Sequence, residues 1–207
     1  MNTYMTTPSK LQRMTTIGIL SAISILLYYI KFPVPFFPPF LTLDVSDIPA
    51  LVGAITLGPV AGILIQLLKN IVDYISHGSY VGLPVGQVAN FLSGSLMVGL
   101  IGTFYHFRKK IHISSYILSV LLFITSMYLL NYYFILPSIM NLMGISEAQY
   151  VEGFTQFNPM ATDFTTAVLF VILPFNLIKV AMVYSIGLPF SLRLQRSIQP
   201  ERKNLAA

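Results

Sequence analysis

Charged side chains inside long apolar stretches are the residues of this sequence best suited to bind a ligand. Lys69, Asp73 and Lys179 each interrupt such a stretch, although only 9% of the 207 residues are charged. Within a membrane, a charge is costly unless it meets water, a counter-ion or a ligand, so each marks a candidate site. Lys69 and Asp73 lie four residues apart and can pair on one helix. Lys179 has no carboxylate at that spacing, so its partner is either Asp73 across the bundle or a ligand.

Amide side chains in the apolar stretches could add hydrogen bonds to the same ligand. Asn176 lies three residues before Lys179, on the same face of a helix. Four further amides lie on segments whose outer ends would converge: Asn70, Gln87, Asn90 and Asn131. A single buried amide often only joins two helices. Together with the interleaved Phe and Tyr residues, they predict a pocket that stacks a flat ring and hydrogen-bonds its polar edge.

Sequence motifs of the common catalytic centres are missing. The sequence contains no cysteine, no glycine-rich loop ending in Gly-Lys-Ser or Gly-Lys-Thr, no HExxH and no GxSxG. Its three histidines lack the spacing of metal ligands on one helix. The sequence therefore predicts a binding protein that is not an enzyme and that holds no metal or cofactor.

The composition is that of a protein embedded in a lipid bilayer. Hydrophobic residues make up 55% of the sequence, and charged residues are far fewer than the about 25% usual in soluble domains. The net charge of +5 could suggest a nucleic-acid partner. The basic residues flank the apolar stretches, however, which indicates membrane topology and no nucleic-acid binding.

One stretch, DVSDIPALVGAITLGPVAGILIQLLKN at residues 44–70, decides the number of membrane spans. Counted as one span, it separates the basic clusters onto opposite sides of the membrane. Counted as two spans with a turn at Gly58-Pro59, it brings nine of the twelve basic residues to the cytoplasmic side: Lys10, Arg13, Arg108, Lys109, Lys110, Arg193, Arg196, Arg202 and Lys203. The sequence therefore predicts an all-α bundle of six transmembrane helices in the cell membrane.

Both termini are expected in the cytoplasm. The division along the chain is a cytoplasmic N-terminal segment at 1–13, a single membrane domain at 14–190 and a basic cytoplasmic tail at 191–207. The second span, residues 48–57, is too short to cross a bilayer unless it tilts or the bilayer thins. Residues 137–160 are predicted as a long polar outer loop. Pro174 is predicted to free a backbone carbonyl near Phe170.

The loop after the first span is rich in proline and phenylalanine. Its four prolines forbid a regular helix and keep the backbone stiff. Its four aromatic residues are Phe32, Phe36, Phe37 and Phe40. They form either a belt at the membrane interface or a lid over an apolar, aromatic ligand.

Small residues in the first span indicate a close helix contact. Gly18 and Ala22 lie four residues apart, the spacing that lets two membrane helices approach closely. Their partner is either another helix of the same chain or a helix of a second protein.

Taken together, the motifs resemble those of the riboflavin-specific substrate-binding subunit (S component) of energy-coupling factor (ECF) vitamin transporters. The motifs are the 44–70 stretch, PVGQVANFLSG, LLNYYFILP and PFNLIK, and the resemblance covers about residues 14–190. It implies that the vitamin binds near the outer face, under the loop after the first span. It also implies as partners a transmembrane coupling protein, contacted through small residues of the first span, and two cytoplasmic ATPases. Gly18 and Ala22 fit that contact, whereas Leu26 departs from it.

A flavin suits the residue types of the predicted pocket. Its ring offers an apolar face to aromatic side chains, and its polar edge and ribityl hydroxyls suit Asn, Lys, Asp and Thr. The expected ligand-binding residues are Asn131, Asn176, Lys179, Thr165, Leu43, Asp44, Phe40 and Asn90. The alternatives are an S component for another vitamin, and a membrane scaffold or enzyme outside transport.

Overall fold

Helices form most of the described chain in the computed structural model, which describes residues 9–79 and 82–198. The predicted all-α class is confirmed, and the short pairing of β1 (Phe32–Pro33) with β2 (Thr42–Leu43) is the one sheet in the described part. The helices are α1 Lys10–Tyr28, α2 Asp47–Thr56, α3 Pro59–His77, α4 Val85–Arg108, α5 Ile113–Leu130, α6 Leu136–Met143, α7 Glu147–Thr155, α8 Phe164–Ala167 and α9 Leu173–Ile198.

The stretch at residues 44–70 turns where its sequence predicts. Helix α2 ends at Thr56, and α3 begins at Pro59. Gly58 between them has φ +115°, a backbone conformation that side-chain-bearing residues rarely adopt. Pro59 is favoured at the first position of a helix because its missing N–H would have no partner there. The division of this stretch into two helices is therefore confirmed.

Helix α2 lies at the centre of the bundle. Every residue from Pro49 to Ile55 is buried, and its apolar side chains share one core with residues of α3, α4, α5 and α9. Helix α3 approaches it closely, since a Cβ atom at Gly62 would lie 2.7 Å from Ala54 Cβ. A short helix enclosed by longer ones needs no contact with lipid of its own.

Among the described residues, four helical segments are long and apolar enough to cross a membrane: Lys10–Tyr28, Val85–Arg108, Ile113–Met143 and Phe164–Ser197. Helix α2 is apolar but has only ten residues, and α3 carries Lys69 and Asp73. Each of the last two long segments contains one π-helical turn, at Asn131–Ile135 and at Val168–Ile172.

The predicted outer loop at residues 137–160 is largely helical, which corrects the prediction. Helix α6 continues to Met143, and α7 follows from Glu147. Pro137 lies just after the first π-helical turn and does not end the helical segment, which continues from Ile113 to Met143. A capping box of Ser146 and Gln149 starts α7.

The carbonyl freed by Pro174 has found a partner. Asn158 Nδ2, in the turn after α7, donates to the Phe170 carbonyl oxygen at 3.0 Å. The prediction of a freed carbonyl near Phe170 agrees with this contact. The hydrogen bond ties the segment before α8 to the second π-helical turn.

Basic residues gather at one end of the bundle, called here the basic end. Arg13 lies beside the α2–α3 turn, with a guanidinium nitrogen 4.0 Å from a Cβ built on Gly58. His106, in the last turn of α4, lies 3.1 Å from the Ala54 carbonyl oxygen near the end of α2. Helix α9 runs parallel to α2, so its basic last turn points the same way. Most of the predicted N-terminal segment (residues 1–8) and half of the predicted tail (residues 199–207) lie outside the described residues.

Candidate functional site

The carboxylate of Asp47, at the first residue of α2, is shared by two lysines from two other helices. Lys69 Nζ of α3 lies 2.6 Å from its Oδ1 atom, and Lys179 Nζ of α9 lies 3.2 Å from its Oδ2 atom. Gln66 Nε2 donates a further hydrogen bond to Oδ1 at 2.7 Å. Asp47 has no exposed surface, so these contacts replace water around a charge inside the bundle.

The expected pairing of Lys69 with Asp73 is wrong. Asp73 Oδ2 accepts a hydrogen bond from Gln87 at 3.0 Å, and its Oδ1 lies 3.3 Å from His77 Nδ1. Spacing along α3 permits a Lys69–Asp73 contact, but the first turn of α2 packs against α3 at Lys69 and supplies a better-placed carboxylate. Asp73 is likewise not the partner of Lys179, which meets Asp47.

The end of the loop after α1 is fastened to this charged group. Ser46 Oγ accepts a hydrogen bond from Lys69 Nζ at 3.0 Å, and the Ser46 carbonyl accepts one from Ser24 Oγ of α1 at 2.6 Å. The Ser46 N–H donates to Asp44 Oδ1 at 2.8 Å. Asp44, Ser46 and Asp47 are all buried. We refer to Asp44, Ser46, Asp47, Lys69 and Lys179 as the charged cluster.

The two lysines of the charged cluster differ in their hydrogen bonding. Lys69 Nζ donates to both Ser46 Oγ and Asp47 Oδ1. Lys179 lies within ion-pair distance of Asp47, but its approach lacks the alignment of a hydrogen bond, and Oδ2 of Asp47 accepts none within the described residues. An ammonium group has three donors. Lys179 therefore keeps its charge balanced while its N–H groups stay available to another acceptor.

Aromatic side chains form a second group at the end of the bundle away from the basic end. Tyr132 stacks on Tyr128 with 5.6 Å between ring centroids, and its hydroxyl lies 3.4 Å from Thr165 Oγ1. Phe154 of α7 lies under Phe40 of the loop, edge to face at 5.9 Å. Burial raises the pKa of the neighbouring Tyr150 hydroxyl to about 12. We call the following residues the aromatic group: Phe37, Phe40, Tyr128, Tyr132, Tyr150, Phe154 and Phe164, together with Thr165.

The loop after α1 covers part of the aromatic group. Phe37 lies 6.0 Å from Phe175 of α9 between ring centroids, and Leu43 is held in β2, paired with Phe32 of β1. Phe40 remains 60% exposed, although its ring touches Phe154. The loop thus links the aromatic group, through Phe37 and Phe40, to the charged cluster, through Asp44 and Ser46.

Two predicted site residues, Asn131 and Asn176, are buried beside the π-helical turns. Asn131 begins the first turn and donates to the Met127 carbonyl at 2.8 Å, and Asn176 donates to the Ile172 carbonyl at 2.9 Å. Within the described residues, neither amide oxygen accepts a hydrogen bond. π-helical turns are frequent at functional sites because they re-aim side chains. Both asparagines therefore present an open acceptor.

A groove of about 230 Å³ runs between α5 and the second π-helical turn with the start of α9. Its walls are mainly apolar and are formed by Ile124, Thr125, Tyr128, Leu169 and Leu173. It shares Tyr128 with the aromatic group.

Comparison with known proteins identifies the family of this chain. The family model described as "ECF transporter, substrate-specific component" matches residues 12–190. The chain belongs to this family.

Similar proteins support the same family assignment. The riboflavin transporter RibU of Staphylococcus aureus (strain TCH60) is 35% identical over 170 residues, covering 81% of this chain and 82% of the relative. The riboflavin transporter FmnP of Bacillus subtilis (strain 168) is 33% identical over 201 residues, covering 93% and 97%. A solved S component of a bacterial ECF transporter superposes with a TM-score of 0.68 at 32% identity, covering 92% of this chain and 99% of that one. These proteins are transporter components and not enzymes, as the sequence predicts for this chain.

Four of the eight predicted site residues of the S component belong to the two groups just described, whereas Asn131, Asn176, Leu43 and Asn90 lie outside them. Lys179 and Asp44 belong to the charged cluster, and Asn90 approaches it through Tyr28, whose hydroxyl lies 3.5 Å from Asn90 Nδ2 and whose ring lies 5.2 Å from Lys69 Nζ. Thr165 and Phe40 belong to the aromatic group. Sequence reasoning did not include Asp47, Ser46 or Gln66 among the site residues; the second span was predicted to begin at residue 48, so Asp47 fell just before it.

We expect Asp47→Asn to destabilise the protein strongly. The substitution removes the carboxylate that two buried ammonium groups share, and breaking a buried ion pair costs about 3–5 kcal/mol. Adding Lys69→Met should recover part of the loss because it removes one of the unmatched charges. The measurement is the melting temperature in mild detergent.

Asp73→Asn is the matched control, since Asp73 is buried on the same side of α3 but contacts an amide and an exposed histidine. Equal losses for Asp47→Asn and Asp73→Asn would contradict the central role of Asp47.

Proposed function

We propose that this S component binds riboflavin and delivers it across the cell membrane as part of an ECF-type importer. The observation that carries the proposal is the position of the aromatic group beside a charged cluster that leaves Lys179 with available donors. A flavin has an apolar ring face and a polar edge, so its two parts require these two environments. The names of the two relatives, both riboflavin transporters, support the same ligand.

In this proposal the binding residues divide by chemistry. Lys179, Asn131 and Asn176 bind the polar edge of the ring, while Phe40 and Leu43 of the loop cover its apolar face. Thr165, Asp44 and Asn90 are left for the ribityl hydroxyls.

The proposed topology has six membrane-spanning helices with both termini in the cytoplasm. It counts α2 and α3 as spans, the first being short and enclosed by neighbours. The basic end then faces the cytoplasm, as the distribution of Lys and Arg favours. The ligand enters from the opposite side, where the loop after α1 covers the aromatic group.

Transport in this proposal requires partners, because the sequence has no nucleotide-binding loop. We propose a transmembrane coupling protein and two cytoplasmic ATPases, the partners implied by the family. The first helix supplies a suitable contact surface: Gly18 and Ala22 are exposed, and no other part of the described chain beyond the adjoining turns of α1 lies within 4 Å of a Cβ placed on Gly18. This surface is free of internal packing, so it favours the second-protein alternative.

Calorimetry on the ligand-free protein tests the ligand directly. We expect heat on titration with riboflavin and none with thiamine or biotin, because neither of these carries a three-ring flavin to fill the aromatic group. A signal with thiamine or biotin and none with riboflavin would assign the chain to another vitamin.

Lys179→Met should fold normally but bind riboflavin about 10–100-fold more weakly, the loss of one charged hydrogen bond. Folding survives because Lys69 still neutralises Asp47. The matched control is Lys110→Met at the exposed basic end, which should bind like the unchanged protein. Unchanged affinity in a stable Lys179→Met protein would remove Lys179 from the site.

Replacing both Gly18 and Ala22 with Leu should abolish co-purification with the coupling protein while riboflavin affinity stays unchanged. Larger side chains prevent the close helix approach on which membrane contacts depend. Gly86→Leu, in equally open space on α4, is the control and should leave the complex intact. A collapse of riboflavin binding in the double variant would show that this face packs internally.

A further inference from the structure

Helices α3 and α4 pack antiparallel in a register that three side-chain contacts define: Gly62 against Val98, Gln66 against Gly94, and Asp73 against Gln87. The approach is closest at the second contact, where a Cβ atom on Gly94 would lie 2.5 Å from the Gln66 carboxamide. Each step along α3 is matched by an equal step back along α4. Asn70, one turn after Gln66, therefore lies level with Asn90, one turn before Gly94.

The layer formed by Asn70 and Asn90 has hydrogen-bond acceptors without donors. The Oδ1 atoms of both residues are buried and have no partner within the described residues. Asn70 is 95% buried, and its Nδ2 donates to the Gln66 carbonyl at 2.9 Å. Asn90 Nδ2 faces the Tyr28 hydroxyl at 3.5 Å. Each amide nitrogen thus has one hydrogen-bond contact within the protein, whereas both amide oxygens have none within the described residues.

Two unpaired acceptors in one buried layer lower the stability of the fold, because a buried polar group without a partner loses its hydrogen bonds to water and gains none in the protein. A group that donates hydrogen bonds would remove this cost. A cation is disfavoured there because Lys69 precedes Asn70 and holds its ammonium group 5.2 Å from the Tyr28 ring. The chemistry that fits is that of neutral hydroxyl groups: each donates its single proton to one amide oxygen and can accept a hydrogen bond from the Tyr28 hydroxyl.

We propose that Asn70, Asn90 and Tyr28 form a hydroxyl-binding site between α1, α3 and α4. The hydroxyl comes either from the ribityl chain of the flavin or from a bound water. The ribityl source rests on the proposed function, whereas the water source does not. Asn70 and Tyr28 are then binding residues outside the expected ligand set.

Asn70→Leu removes one acceptor at nearly constant side-chain size. The test measures affinity for riboflavin and for lumiflavin, which has a methyl group in place of the ribityl chain, together with the melting temperature of the ligand-free protein. A ribityl hydroxyl predicts about threefold to tenfold weaker riboflavin binding with unchanged lumiflavin binding, the loss of one hydrogen bond. A bound water predicts a lower melting temperature and equal effects on the two flavins.

Tyr28→Phe is a second variant, which keeps the ring beside Lys69. Like Asn70→Leu, it should weaken riboflavin binding but not lumiflavin binding if the hydroxyl is a ribityl one, and it should lower the melting temperature if the hydroxyl is that of a water. Ser191→Ala, which removes a buried hydroxyl already bonded to the Gly187 carbonyl, is the control and should leave the affinity ratio of the two flavins unchanged. The proposal would be overturned if the Asn70→Leu protein bound both flavins normally and melted at the same temperature as the unchanged protein or higher. Failure of the unchanged protein to bind any flavin would refute the proposed function, and the melting temperatures would still test the hydroxyl site.

Discussion

The structure depends on how the charge of Asp47 is satisfied inside a membrane bundle. Asp47 has no contact with solvent, and its carboxylate is neutralised by Lys69 at 2.6 Å and Lys179 at 3.2 Å. The three residues come from α2, α3 and α9, so one group of charges fixes the start of the central helix against two of its neighbours. Because separating a buried charge from its partner is far costlier than the net gain from forming the pair, these helices are held in one arrangement.

The sharing of the Asp47 carboxylate by two lysines also explains how the site can bind a ligand. Lys69 donates hydrogen bonds to both Asp47 and Ser46, whereas Lys179 has a nearby counter-charge but no aligned acceptor within the described residues. Asp44, at the end of the covering loop, adds a second carboxylate close by. The first part of the loop therefore covers the aromatic group, and its end belongs to the charged cluster. One segment thus joins the apolar and polar halves of the proposed flavin site.

Local sequence features predicted the parts of the structure that depend on local chemistry. Gly58-Pro59 predicted the turn between α2 and α3, and Pro174 predicted the free carbonyl that Asn158 binds. The isolated charge of Lys179 predicted a partner from elsewhere. That partner could not be identified, because Asp47 meets Lys179 only through the packing of α2 against α9. Helix α6 was missed because Pro137 indicated the end of a span, and α7 was missed because its sequence is polar, although Ser146 and Gln149 carried a capping signal.

Determination of the structure with riboflavin bound tests this account most directly. The account predicts that Lys179 Nζ lies within hydrogen-bond distance of an acceptor on the polar edge of the flavin, while Lys69 still contacts Asp47. The ring should lie against the aromatic group, under the loop that carries Phe40. A flavin bound elsewhere, or a Lys179 whose donors all turn to Asp47 in the complex, would contradict it.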